Sequence, residues 1–189
     1  MAICPSCNRA SLNPILKSHK PYLIIKESIT QNEVDQEQIF TLSGTSKYNK
    51  PEHTTSYYLG KELGMCGLNL QAFNLATFYS HNMPKSRKTK EDKAIVQKCL
   101  DWSIAEVIRV AKDKKIILMM GAEVVRTFTG YGVSDVSGLV CKSDLLPNVP
   151  VIIPAFNPDK IMMMPLGEMR NSLKVFAEQI KIYEEYQKV

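Results

Sequence analysis

With 189 residues, 44% of them hydrophobic and 23% charged, and no apolar run of about 18 residues, the chain excludes disordered, fibrous and membrane-spanning classes and suits one α/β-sized domain. Its net charge of +5 permits a polyanionic partner without demanding one. The start, Met1-Ala2-Ile3-Cys4-Pro5, has neither the basic nor the apolar region of a secretory signal, so the five cysteines are expected as reduced thiols or metal ligands in a cytoplasmic protein.

In chain order, Cys4-Pro5-Ser6-Cys7 comes first, a C-x-x-C knuckle whose tight turn brings two sulfurs to one ion. A redox dithiol and two unrelated cysteines are the other readings, and no strand precedes the motif as the redox fold requires. Pro21-Tyr22-Leu23-Ile24-Ile25 is a continuous apolar run, the pattern of a strand buried on both faces. It delivers Lys26-Glu27-Ser28 to its carboxyl end, where open α/β sheets place ligands. Glu27 is there either a solvated loop carboxylate or a general base. A polar loop to Gln38 leads into Ile39–Gly44, where Phe40 is either core or a stacking surface for a ligand. Ser56 to Met65 is patterned as a helix ended at Gly67, with Cys66 assigned to packing.

Leu70 to Thr77 is expected as a second buried strand, breaking at Ser80-His81-Asn82-Met83-Pro84 into a basic stretch with Lys85, Arg87, Lys88, Lys90 and Lys93. Thr89 with Asp92 opens a helix to about Lys112, with Val96, Leu100, Ile104, Val107 and Ala111 at helical spacing and Cys99 turned inward. Lys115–Met120 is a third strand, turning at Gly121-Ala122 into a short helix closed by Gly130. Pro150–Pro154 is a fourth, and Pro165–Tyr186 is the last helix, with the Met162–Met164 run assigned to packing. Alternating strands and helices predict a single three-layer α/β/α domain over 1–189, around a mostly parallel sheet of about four strands.

Five places in this order resemble the uracil-DNA glycosylase superfamily, most closely its small iron–sulfur (family 4) members. They are Cys4-x-x-Cys7, Lys26-Glu27-Ser28-Ile29-Thr30 in place of a Gly-Glu-Ala-Pro-Gly loop, and Phe40 thirteen residues beyond Glu27. The others are Asn74 with the strand-Gly121-Ala122 turn, and Pro154-Ala155-Phe156-Asn157-Pro158 in place of a Pro-Thr-Tyr-His-Pro loop. The resemblance implies a DNA-binding, base-flipping repair hydrolase that takes a uracil-type or modified base out of the stack and hydrolyses its N-glycosidic bond. It implies Phe40 and Asn74 as base-binding residues and Glu27 as the catalytic carboxylate, with Asn157 in the second catalytic loop. Lys85, Arg87, Lys88 and Lys160 would meet DNA phosphates, and Ile161 or Met162 would wedge into the duplex. It also implies a [4Fe–4S] cluster on Cys4, Cys7, His81 and Cys99, a Cys₃His set that zinc also takes. The expected state is a monomer.

The departures concentrate in the same loops. Asn157 stands where the family has a proton-carrying His, the glycines and proline of the first loop are absent, and an Arg-Gly pair reads Ser137-Gly138. These losses leave a divergent glycosylase, a catalytically silent DNA-binding accessory for replication or repair proteins, or an unrelated nucleotide- or sugar-binding α/β enzyme.

Overall fold

The computed structural model describes residues 2–17, 19–37, 39–40, 55–80, 90–158 and 166–188. The three-layer expectation holds. Four strands, β3 (Tyr22–Ser28), β4 (Asn74–Tyr79), β5 (Ile116–Met120) and β6 (Val151–Ala155), form one parallel sheet in the order β4-β3-β5-β6.

The strands read as unbroken apolar runs because both faces are covered, and the period of two then sorts side chains to opposite layers. Tyr22, Ile24, Ile116, Leu118, Met120 and Ile153 pack with helices α2 (Thr55–Met65) and α6 (Leu166–Tyr186) through Leu59, Leu63, Leu173 and Phe176. Leu23, Ile25, Ile117, Met119 and Ile152 face the other layer, α3 (Lys90–Ala111), α4 (Ala122–Thr129) and α5 (Val133–Val136), through Val107, Val110, Val125, Phe128 and Val136.

The amino terminus is a small hairpin, β1 (Ala2–Ile3) against β2 (Ala10–Ser11). The chain after it runs antiparallel along the outer edge of β4, with Leu12 N–H donating to Ser80 O and Ile15 exchanging both backbone bonds with Leu75. An edge strand that would otherwise offer free backbone groups is thereby closed. The opposite edge, β6, is covered in the same way by Cys141 paired with Ile152.

Two local features differ from the pattern reading. Leu70–Ala72 is a 3₁₀ turn, held by the Asn69 side chain accepting from Gln71 N–H, so the strand starts at Asn74. A five-residue helix, α1 (Gln31–Asp35), occupies the expected polar loop. Its start is a capping box: Glu33 accepts from Thr30 N–H at 2.8 Å, while Thr30 Oγ1 accepts from Glu33 N–H at 3.3 Å. Among the described residues no helix is long and apolar enough to cross a membrane.

Candidate metal centre and carboxylate crevice

The turn of the hairpin is set by backbone bonds, with Cys4 N–H donating to Arg9 O and Asn8 N–H to Cys4 O, both 2.9 Å, and Asn8 in the left-handed region at φ 55°. It presents Cys4 and Cys7 toward α3, where Cys99 lies on the buried face, and Ser6 Oγ donates to Lys98 O beside it. The three sulfurs lie within 4.8 Å of one another, and Cys4 and Cys99 are fully buried. Burial pushes the Cys99 thiol up to about 12, and Cys7 and then Cys4 act in the same direction.

Three converging thiols, two of them without solvent contact, are a soft donor set that can bind a metal ion. A tetrahedral ion with metal–sulfur bonds near 2.3 Å sets its sulfurs roughly 3.8 Å apart, a separation this trio accommodates. Cys66 and Cys141 stand apart from it, each half-buried with its thiol raised chiefly by burial. His81 lies outside the described residues. Its chain neighbour Ser80 is fixed beside the arm by the bond from Leu12 N–H.

The second feature lies at the carboxyl edge of the sheet. β3 leads to β4 on one side, and β5 leads to β6 on the other, so the two central strands send their connections in opposite directions. Such a switch point opens a crevice above the strand ends. Glu27 is one position beyond Lys26, which pairs with Met120, so Glu27 and Gly121 meet at that point. One Glu27 carboxylate oxygen accepts a 2.8 Å hydrogen bond from Glu123 N–H, at the amino end of α4. That helix end complements a negative charge. Gly121, at φ 129°, lies so close that a Cβ there would meet both Glu27 Cβ and Oε2 at 2.4 Å. Asn157 is two residues past Ala155, the partner of Met120, and so belongs to the same edge. Glu27, the Gly121-Ala122 turn and the Asn157 loop are thus brought together on one edge of the sheet.

Asn74 is not with them. It opens β4 and pairs with Leu23 near the start of β3, which puts it at the amino end of the sheet, opposite Glu27. Its side chain is wholly buried and spent on backbone: it accepts from Lys17 N–H at 2.5 Å and donates to Lys20 O and Tyr22 O at 2.8 and 2.7 Å. In this arrangement the side chain fastens the amino-terminal arm, at the edge opposite the one expected to hold a base. The strand starts four residues later than its apolar pattern suggests, so Asn74 opens it instead of lying within it.

Phe40 takes the core alternative. Its ring is 2% exposed and belongs to the core beneath α2 and α6, so it presents no open stacking face. Its backbone takes φ 55°, a region costly for a bulky side chain. Phe40 N–H donates to Glu33 Oε1 at 2.6 Å, and the Lys26 ammonium sits 5.2 Å from the ring centroid. Lys26 and Glu33 form a buried ion pair at 2.5 Å, with side chains 1% and 4% exposed. This network escaped the sequence reading, although Thr30-Gln-Asn-Glu33 carries the capping-box signature that points to it. Ser137-Gly138, where the family has Arg-Gly, ties α5 to β6 and α6: Gly138 N–H donates to Pro154 O, and the Ser137 and Ser172 hydroxyls lie 3.0 Å apart. Lys85, Arg87, Lys88, Lys160, Ile161 and Met162 lie outside the described residues.

Comparison with known protein families and with characterised proteins found no match to either.

Proposed function

We propose that this protein is a divergent uracil-DNA glycosylase-like enzyme that binds DNA over the carboxyl edge of its sheet and hydrolyses the N-glycosidic bond of an extruded uracil-type or modified base. The observation that supports this best is Glu27 at the switch point between β3 and β5, fixed by Glu123 N–H. A carboxylate there can steady oxocarbenium character in the sugar or orient a water for attack. Asn157, on the same edge, supplies an amide that donates or accepts but carries no proton. Lys85, Arg87, Lys88 and Lys160, within a chain of net charge +5, would supply phosphate contacts.

The metal that fits the cysteine trio best is a single zinc ion, because a [4Fe–4S] cluster spreads its cysteine sulfurs over four iron corners. His81, next to the anchored Ser80, is the proposed fourth ligand. Bound there, the ion would tie the hairpin to α3. The five free cysteines support a reducing, cytoplasmic setting.

A second reading has its own observation. Glu27 already serves as the partner of Glu123 N–H, Asn74 is turned to the far edge and Phe40 is in the core. These favour a catalytically silent DNA-binding protein of the same fold, acting beside replication or repair proteins. Oligonucleotides carrying single uracil or modified bases, scored by alkali-labile strand scission, separate the two. Excision that falls at least 100-fold in Glu27→Ala supports the enzyme, an effect of the size carried by a positioned acid or base. Salt-dependent duplex binding with no excision of any base supports the silent protein.

A further inference from the structure

Between α3, β4 and the amino-terminal arm lies a cavity with about 40 Å³ open to the centres of water molecules. Leu12 and Pro14 of the arm, Thr77 and Ser80 of the β4 segment, and Trp102 and Val107 of α3 are among its walls. Thr77 and Ser80 are each 5% exposed, and among the described residues neither Thr77 Oγ1 nor Ser80 Oγ has a hydrogen-bond partner. Two buried hydroxyls left unpaired in one wall are costly, since each gives up its hydrogen bonds to water and receives none in return.

We propose that this cavity is a built hydration site, holding roughly three ordered waters at the 10–15 Å³ each requires. The waters bond to Thr77 Oγ1, Ser80 Oγ and one another. Asn13 and Glu106, also in its walls, are polar groups through which the chain of bonds can continue. The site lies in the seam between the arm that carries Cys4 and Cys7 and the helix that carries Cys99. The seam is therefore packed by water on its β4 side, and its two walls are joined through bonds that can rearrange without leaving a void. A dry cavity would instead carry two unsatisfied hydroxyls beneath the arm with nothing to offset them.

A high-resolution crystal structure determined with and without xenon pressure tests this directly. The proposal expects water density within about 3.2 Å of Thr77 Oγ1 and Ser80 Oγ and no xenon. Xenon in the cavity, or empty density, overturns it. Thr77→Val, which keeps the shape and removes the hydroxyl, gives an independent sign. In a hydrated cavity the waters lose a partner and Tm falls by roughly 2–4 °C. In a dry one an unpaired hydroxyl is removed and Tm rises.

Discussion

Glu27 and Glu123 are 96 residues apart in sequence, and the carboxylate of the first accepts the backbone N–H of the second at 2.8 Å. This bond locks the end of β3 to the start of α4, and it needs Gly121 to have no side chain. Gly121→Ala is expected to cost about 2–4 kcal/mol, from the strained φ and the 2.4 Å approach to Glu27 together. Glu27→Ala removes the helix-end partner of Glu123 N–H and should cost about 0.5–2 kcal/mol, while abolishing any excision. Urea unfolding of both variants beside the excision assay checks the separation. A Glu27→Ala protein that loses stability yet keeps full excision would reduce Glu27 to a structural cap.

Lys26 and Glu33 are buried together, and Glu33 also receives the N–H groups of Thr30 and Phe40. Removing one partner strands the other charge. Lys26→Met should therefore destabilise by about 3–5 kcal/mol, and Glu33→Ala by more, because it also leaves two backbone donors unmet. The double variant Lys26→Met/Glu33→Ala should fall well short of the sum of the single losses. Equilibrium urea unfolding of the cycle measures this coupling. Additive losses would show that the pair is not a unit.

Asn74 fastens the arm through three backbone bonds. Asn74→Ala should cost about 1–3 kcal/mol or somewhat more and leave DNA affinity unchanged for the fraction that stays folded. Fluorescence anisotropy on a labelled duplex, at a temperature where the variant is folded, provides the check. Loss of DNA affinity without loss of stability would return Asn74 to a base-reading role.

Tyr22 gives a pH dependence with a definite sign. Burial, then its 3.1 Å hydrogen bond to Glu184, holds its hydroxyl well above the ordinary tyrosine range. The folded chain therefore keeps this proton where the unfolded chain releases it. The contribution is fully present below about pH 10 and declines as the pH rises further. Thermal melts between pH 8 and 11 should show falling stability, with a shallower fall in Tyr22→Phe, although that variant starts lower at neutral pH. Parallel slopes would contradict the assignment.

The layered fold was legible because buried parallel strands leave a local mark: Tyr22–Ile25, Ile116–Met120 and Val151–Ile153 are apolar without interruption. The helices α3, α4 and α6 matched their apolar periodicity to within one or two residues. Two cysteines of the candidate metal centre were legible from their spacing. Cys99 came from the family resemblance, since nothing local joins residue 7 to residue 99. What failed was register. Asn69 caps a 3₁₀ turn that moves the start of β4, so Asn74, expected within the strand, opens it at the edge opposite Glu27. The Lys26–Glu33 pair was hidden because a charged residue at a strand end ordinarily signals solvent, and only the fold shows that α1 closes over it.

The most direct test is metal analysis with a visible absorption spectrum on anaerobically purified protein, before and after a strong chelator. Cys4, Cys7 and Cys99 as a zinc centre predict a colourless protein with one zinc per chain. Chelation should then lower Tm, make all three thiols reactive and release the arm from the edge of β4, with self-association through that edge as a consequence. Broad visible absorption with about four irons per chain would keep the ligands and replace the single ion by a cluster. Protein that binds neither zinc nor iron, with a melting curve indifferent to the chelator, would contradict the metal centre itself.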